Sequence, residues 1–451
     1  MDKKTKTAYV CTKCGAIHPK WQGQCRDCGE WNSLAEERIV KSNRKPKKVS
    51  AERPRTFAEI DDNNMSGYKS GMGEFDRVLG GALLPGSAVL LAGEPGIGKS
   101  TLILQAANAY SNNGCHILYV TGEESPGQIK KRAERLNVAG KNISIANLTD
   151  LEQILTILDE EQYNIVIVDS IQTVTSSLFD SPPGTIGQIR ESAGRLIEAA
   201  KREGFALFLI GHVTKEGLVA GPKILEHMVD AVLYFEGESR YLYRILRTVK
   251  NRYGATFELG VFEMAVEGLR QVDNPSLLFL SDYEGISRSG TVVAASCEGN
   301  RPILVEIQAL VSSASYGTPQ RVAGGIDNKR LALLLAILEK RVGVPMGGND
   351  VFVSVAGGLR LNEPAIDLAV LAAIVSSLRD IPVDTDLVMA GEVGLSGEVR
   401  AVSMVDRRVA EAAKLGFKKI IIPAHGAESI TNKKIEILTV STLDRALELL
   451  F

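Results

Sequence analysis

Four of the six cysteines fall in two Cys-x-x-Cys pairs near the start of the chain, Cys11 with Cys14 and Cys25 with Cys28. A glycine follows each pair, as a tight turn requires. Four soft thiolates suit a closed, tetrahedral Zn2+ site, and so short a segment would take its folding energy from the metal. A redox dithiol is the alternative, but two matched pairs favour structural zinc. We expect His18 to pack beside the site rather than to bind the metal.

A glycine-rich segment matches the P-loop, the turn that holds nucleotide phosphates, at every position. The predicted contact residues are Gly93, Glu94, Pro95, Gly96, Ile97, Gly98, Lys99, Ser100 and Thr101. An apolar run precedes the segment and a helical pattern follows it, which is the context the motif needs. Glycines let backbone N–H groups approach the phosphates, and the start of the helix adds a positive dipole. The pattern predicts ATP binding, with Lys99 at the β- and γ-phosphates and Ser100 at Mg2+.

Acidic residues follow two other predicted strands. Asp169 ends the apolar run Asn164–Asp169, and the carboxyl ends of parallel strands face the ligand crevice, so it is the predicted Walker B ligand of Mg2+. Glu123 and Glu124 follow the strand after the P-loop helix. Either could orient or deprotonate the attacking water, and surface acids are the alternative. His212 ends a later strand, where it could sense the γ-phosphate or be structural.

These groups need an α/β unit with a parallel sheet, which the alternation of short apolar runs and helical periods predicts over residues 57–270. The predicted parallel strands are Ser87–Ala92, His116–Thr121, Ile143–Ala146, Asn164–Asp169 and Ala206–Gly211. Asp230–Phe235 and Tyr241–Val249 are predicted to form a hairpin. A zinc module over residues 1–33 and a basic linker over 34–56 precede this unit. A second α/β unit follows over residues 271–451, large enough to fold alone.

The net charge of -2 hides an asymmetry, because the first 56 residues hold 14 Lys and Arg against six Asp and Glu. A basic arm on an acidic body often signals a polyanionic partner, although a solvated linker is the alternative for Lys41–Lys48. No apolar run is long enough to cross a bilayer, and the N-terminus lacks the apolar core of a secretory signal. The sequence therefore predicts a cytoplasmic protein without a membrane partner.

The order of the motifs resembles one family over essentially the whole chain. After the cysteine pairs come Ser70–Gly81, the P-loop, the two acidic sites, Gly211–Lys215 and Lys250–Gly254. Together these segments are similar to the bacterial RadA (Sms) family of DNA repair proteins. The last segment is similar to the family's Lys-Asn-Arg-Phe-Gly, with Tyr253 in place of the Phe. An aromatic ring is kept at that position.

The resemblance implies a RecA-like P-loop ATPase that assembles into a hexameric ring and processes recombination intermediates. It implies helicase-like movement on single-stranded DNA, and branch migration of branched DNA together with the RecA recombinase. Lys250 and Arg252 would then act on the phosphates bound by a neighbouring subunit, as an arginine finger does. From the residues alone, these two would be surface charges after a strand.

Contacts with DNA are expected from the segments that follow two strands of the ATPase sheet. Ile171–Arg190 and Lys215–Lys223 look like long, polar, glycine-containing loops, as mobile binding loops tend to be. Their cations Arg190, Lys215 and Lys223 are the predicted phosphate contacts. Binding of this kind would be independent of sequence and sensitive to salt.

The C-terminal unit resembles the protease domain of Lon without its catalytic dyad. Ala365 stands where that family has its nucleophilic Ser, and Asp406 stands where it has the catalytic Lys, with Arg407 and Arg408 adjacent. Alanine has no nucleophilic atom, and arginine is too basic to serve as a general base. We expect a non-proteolytic scaffold for ring assembly.

Three functions compete on these grounds. The leading one is an ATP-driven DNA motor. The second is a nucleotide-gated scaffold that binds DNA or a partner without translocation. The third, an ATP-dependent protease, is disfavoured by Ala365.

Overall fold

The computed structural model describes residues 5–13, 15–40, 56, 66–212, 222–237, 243–256, 258–280, 287–314, 317–430 and 434–451. It contains two compact units, Met1–Val272 and Asp273–Phe451. Within the described ranges, no helix is both long and apolar enough to span a membrane.

The first unit begins with a three-stranded antiparallel ribbon. Its strands are β1 Thr5–Cys11, β2 Ile17–His18 and β3 Leu34–Val40, in the order β2-β1-β3. Strand β3 occupies the first seven residues of the segment predicted to be linker. The charged sequence of β3 does not show a strand pattern. The strand nevertheless belongs to the ribbon, because it pairs continuously with β1, from Cys11 opposite Leu34 to Thr5 opposite Val40. The predicted run Lys41–Lys48 lies outside the described residues.

A nine-stranded sheet forms the body of the first unit and confirms the predicted parallel α/β class. Six strands form its parallel part: β4 Ala88–Gly93, β5 Ile117–Thr121, β6 Ile143–Asn147, β7 Ile165–Asp169, β8 Ala206–His212 and β9 Ala231–Glu236. Three antiparallel strands follow: β10 Tyr243–Asn251, β11 Leu259–Ala265 and β12 Gly268–Gln271. The order is β12-β11-β10-β9-β4-β8-β7-β5-β6. Because β4, β5 and β7 belong to the parallel part, their carboxyl ends lie at the same edge of the sheet.

Helices cover both faces of this sheet. They are α1 Gly73–Val78, α2 Lys99–Asn112, α3 Pro126–Arg135, α4 Leu151–Glu160, α5 Ile186–Glu203 and α6 Pro222–Met228. One apolar core lies on the α2 face and a second lies on the face of α4 and α5. The segment Ile171–Arg190, predicted to be a loop, is partly helical: Ile171–Thr173 is a 3-10 turn and α5 begins at Ile186.

The second unit is a seven-stranded mixed sheet with helices packed on it. Its strands are β13 Thr291–Glu298, β14 Arg301–Ser313, β15 Arg321–Gly324, β16 Asn349–Val355, β17 Leu387–Met389, β20 Lys419–Pro423 and β21 Glu436–Val440, with β18 Glu392–Val393 and β19 Val399–Arg400 paired apart. Its helices are α7 Ser276–Phe279, α8 Asn328–Ile337, α9 Asp367–Arg379, α10 Val405–Lys414 and α11 Leu443–Glu448. Helix α9 is buried along most of its length and forms the centre of the unit.

Candidate nucleotide-binding site and metal centre

The P-loop leaves strand β4 at Gly93 and enters helix α2 at Lys99. Glycine is required at its ends: a Cβ at Gly93 would lie 2.5 Å from the Phe235 carbonyl oxygen, and Gly98 has φ +112. Helix α2 has neither a side-chain cap nor an acidic residue in its first turn. Its first N–H groups therefore have no side-chain acceptor there, which suits a phosphate.

The Lys99 side chain is only 3% exposed, and its Nζ donates to the carbonyl oxygens of Gly93 and Glu94, each at 2.9 Å. Burial lowers the pKa of Lys99 to about 8, against the charges of Asp169 and Glu123, which raise it. The ammonium is therefore desolvated beside its own loop, and its hydrogen bonds go to neutral groups. Phosphate oxygens would stabilise its charge.

Asp169 ends β7, a strand buried at every position, and is itself 7% exposed. The parallel register of β5 and β7 sets Thr121 opposite Asp169, and the Tyr119 hydroxyl donates to Asp169 Oδ2 at 2.6 Å. Burial, followed by the charge of Asp169, raises the pKa of Tyr119 well above its usual value, so the phenol remains a donor. Asp169 and Ser100 offer the hard oxygen ligands that Mg2+ prefers. The motif pattern did not reveal Tyr119.

Glu123 and Glu124 occupy different surroundings. Glu123 Oε1 accepts from the Ser170 hydroxyl at 2.5 Å and lies 3.3 Å from His212 Nε2, so residues at the carboxyl ends of β5, β7 and β8 come together here. Glu124 instead pairs with Arg132 of α3. The structure thus separates the two carboxylates that the sequence left as alternatives.

Lys250 and Arg252 contact groups of their own unit. Lys250 Nζ donates to the carbonyl oxygens of Glu226 (2.7 Å) and Val229 (2.8 Å), where α6 ends. Arg252 Nη1 lies 3.3 Å from Oδ1 of the buried Asp230, and its side chain is half exposed. In this arrangement both cations support the junction between α6 and β9.

The predicted DNA contacts are dispersed. Arg190 lies in the second turn of α5, where its Nη1 donates to the carbonyl oxygen of Gly15 in the ribbon. Lys223 lies in helix α6. Lys215 lies outside the described residues.

The ribbon brings its cysteines together. The sulfurs of Cys11 and Cys28 lie 3.7 Å apart, and these two with Cys25 form a group whose ligand atoms lie within 4.8 Å of one another. The predicted fourth ligand, Cys14, lies outside the described residues. Three convergent soft sulfurs fit Zn2+. His18 is 7% exposed, and its Nε2 lies 3.4 Å from Cys25 Sγ and 3.3 Å from Asp27 Oδ2. These three residues form a second group whose ligand atoms lie within 4.8 Å of one another, so the expectation that His18 packs without binding the metal stays a prediction.

The crevice of the second unit is lined by Glu363, Pro364 and Ile366, next to Ala365. Among the residues that the structure describes, it holds no nucleophile beside a base at the predicted positions. Ala365 is buried, and Asp406 lies exposed in the first turn of α10. Arg408 is fully buried and pairs with Glu363. The nearby thiol of Cys297 has its pKa raised by burial to about 11, so it stays protonated and unreactive at neutral pH.

The fold and these sites define a P-loop protein of the AAA type with a metal ribbon and a Lon-like C-terminal unit. A family model described as an AAA domain matches residues 53–217, a rubredoxin metal binding domain matches 9–36, and a Lon protease (S16) C-terminal proteolytic domain matches 346–451. The chain belongs to the RadA family, as its resemblance predicted.

Three relatives, each named DNA repair protein RadA, show this membership. The protein from Bacillus subtilis is 48% identical over 451 residues, with 98% of each chain covered. The Pseudomonas aeruginosa protein is 47% identical, with 99% of each chain covered. The Escherichia coli protein is 44% identical, again with 99% of each covered.

Proposed function

We propose that this protein is a DNA-dependent ATPase of DNA repair, a cytoplasmic ring-forming motor that moves on single-stranded DNA. The observation that supports it best is Lys99, a buried ammonium that bonds, within the described residues, only to carbonyl oxygens of its loop. It lies at the sheet edge where Glu123 meets Ser170 and His212. In this arrangement the ammonium of Lys99 is bonded to neutral groups, and a bound triphosphate would supply its anionic partner. The repair role comes from the name of its relatives.

In the proposed reaction, Lys99 leaves its two carbonyl partners and binds the β- and γ-phosphates. Ser100 and Asp169 would hold Mg2+, which would supply charge neutralisation at the phosphates. Tyr119 fixes the Asp169 carboxylate through its 2.6 Å hydrogen bond. Glu123 orients or deprotonates the attacking water, because Glu124 is occupied by Arg132.

His212 would link nucleotide state to the DNA-binding segments. Its Nε2 lies beside Glu123, and its carbonyl oxygen accepts from the Gln172 amide at 3.4 Å. Gln172 lies in the segment Ile171–Arg190, and His212 precedes the segment Lys215–Lys223; both segments are expected to contact DNA. A change at Glu123 on hydrolysis would therefore reach both segments through short contacts.

Ring assembly completes the proposal. In a homo-hexamer, Lys250 and Arg252 would exchange their partners within the subunit for phosphates at the neighbouring site, stabilising the charge of the transition state. The two carbonyl acceptors of Lys250 are neutral, so Lys250 gives up no ion pair, whereas Arg252 gives up its pair with Asp230. The motor would drive branch migration of branched DNA with the RecA recombinase, with the Lon-like unit as a non-proteolytic scaffold.

The test is ATP hydrolysis with and without single-stranded DNA. We expect DNA to stimulate the parent, and Lys99→Ala to lower turnover by about a hundredfold or more, because charge stabilisation of the phosphates is lost. Lys130→Ala, which removes an exposed lysine of helix α3, should behave like the parent. Equal turnover by Lys99→Ala and the parent would refute the proposal.

A mixing experiment tests the shared site and separates motor from scaffold. Lys99→Ala and Lys250→Ala protomers are each expected to be inactive alone, yet mixed rings should regain hydrolysis at boundaries where both lysines remain. Failure to regain activity, with rings formed, would place Lys250 outside the neighbour's site. Hydrolysis without unwinding of a tailed duplex would favour the nucleotide-gated scaffold.

A further inference from the structure

Helix α5 begins without a cap of its own. Its N-cap residue, Thr185, makes no side-chain hydrogen bond to the first turn, and that turn contains no acidic residue. The first N–H groups of a helix have no partner within the helix and favour a negative charge. A partner for this end must therefore come from elsewhere in the fold.

The partner is Glu37, from strand β3 of the metal ribbon. Glu37 is buried, and its carboxylate lies against the backbone of Gly187, the second residue of α5; its Oε2 has no hydrogen-bond partner within the described residues. Burial raises the pKa of Glu37, and the Gly187 backbone and the Ser181 side chain lower it. A Cβ at Gly187 would lie 2.2 Å from Glu37 Oε2, so only glycine leaves room for the carboxylate at this position.

Two more contacts join the same surfaces. Arg190, one turn along α5, donates to the carbonyl oxygen of Gly15, which follows the first cysteine pair. Val10 of β1 and Ile186 of α5 form a small apolar cluster. Charge, hydrogen bonding and apolar packing therefore hold the ribbon to one face of the helix start.

We propose that the ribbon is a docked partner of the ATPase core, in which Glu37 caps helix α5 and Arg190 bonds the first cysteine turn. Metal loading of the ribbon and order at the start of α5 are then coupled, and the coupling is reciprocal. Helix α5 follows the Walker B strand and begins within the segment expected to contact DNA. Metal loading of the ribbon would therefore affect the order of that segment. The docked ribbon also engages Arg190, a predicted DNA contact, so ribbon and phosphate compete for it.

Hydrogen–deuterium exchange of the full, zinc-loaded chain tests this docking without using activity. We expect Glu37→Ala to speed exchange of the Thr185–Arg190 amides roughly 5- to 150-fold, the usual range of coupling between sites. Removing Zn2+ with a chelator should speed exchange there to a similar degree. Glu36→Ala is the matched control, since it removes the same charge from the exposed face of β3. Unchanged exchange in β4 shows that the core stays folded.

Substitutions at two glycines, Gly187 and Gly127, provide an independent second test. Gly187→Ala forces the Glu37 carboxylate away and should speed zinc transfer to a chromogenic chelator several-fold. Gly127 also occupies the second position of a helix, α3, but has open space around it, so Gly127→Ala should release zinc like the parent. The proposal is overturned if Glu37→Ala exchanges like Glu36→Ala, or if zinc removal leaves Thr185–Arg190 unchanged.

Discussion

Lys99 in the first unit and Arg408 in the second are both buried cations, and they have different partners. Within the described residues, Lys99 of the first unit donates only to neutral carbonyl oxygens. Arg408 in the second unit donates to Glu363 and to the carbonyl oxygens of Ala295 and Ser403. Glu363 in turn accepts from the Ser296 hydroxyl and the Cys297 N–H.

The difference separates a site that awaits a ligand from one that is internally complete. Burying a cation that has no bonded carboxylate costs free energy. A bound anion offsets this cost, and this contributes to the affinity of the site. A buried ion pair with its remaining hydrogen bonds satisfied has nothing left to offer a substrate. By this physical criterion, we propose that the chemistry belongs to the first unit and that the second unit serves as a scaffold.

The largest expected effect distinguishes the two cations by stability. Arg408→Met leaves the Glu363 carboxylate without its buried partner, so we expect the second unit to lose about 3–5 kcal/mol. Lys99→Met removes a cation that burial already disfavours, so stability of the first unit should stay equal or rise. Native-state hydrogen exchange of β13 and β4 reports the two units separately.

Arg407→Met controls for loss of charge on helix α10. Arg407 donates to the Asn300 carbonyl oxygen and lies exposed, so its replacement should cost no more than about 0.5 kcal/mol. The comparison fails if Arg408→Met and Arg407→Met are equally stable, or if Lys99→Met destabilises the first unit as much as Arg408→Met destabilises the second.

A smaller effect, the dependence of ATP affinity on pH, tests the same comparison. In the free protein the pKa of Lys99 is about 8, and bound phosphates would raise it. Below that pKa Lys99 is already charged and nucleotide binding takes up little proton; above it, binding must protonate the amine. We therefore expect ATP affinity to fall by up to about tenfold per pH unit above pH 8, with uptake of nearly one proton.

Calorimetry in buffers of different ionisation heat, at about pH 7 and about pH 9.5, measures that uptake. Lys99→Met gives the baseline, because any uptake that remains in this variant comes from other groups. An uptake that does not differ between the two pH values would show that the Lys99 ammonium is already stabilised in the free protein.

The strands of the parallel sheet were predictable because they are apolar on both faces. The predictions for β4, β5, β7 and β8 lie within one residue of the observed bounds. The antiparallel end of the sheet was harder: the sequence analysis predicted neither the seven-residue β11 nor the four-residue edge strand β12. Charged β3 was assigned to the linker, although pairing with β1 defines it.

Site residues within motifs were likewise predictable from the sequence, whereas contacts between strands were not. The P-loop and Asp169 follow from local pattern. The Tyr119 hydrogen bond depends on the register of β5 and β7, and the Glu37 contact joins residues 150 positions apart. Neither has a sequence signal, because the partners meet only after the chain has folded.

The smallest expected effect concerns the crevice of the second unit. Ala365→Ser restores a hydroxyl at the position where Lon-like proteases carry their nucleophile, yet we expect no peptide hydrolysis. A serine is a weak nucleophile without an adjacent base. Adding Asp406→Lys should not help, since position 406 is exposed, and an exposed lysine keeps a pKa too high to accept a proton at neutral pH.

Casein degradation by the single and double variants, with and without ATP, is the measurement. The parent serves as the reference, and both variants should also keep DNA-stimulated ATP hydrolysis close to that of the parent. ATP-dependent degradation by either variant would mean that the crevice still supplies a base and an oxyanion site. The pairing of Arg408 with Glu363 would then be a reversible state of a catalytic centre rather than the completed scaffold inferred from its hydrogen bonds.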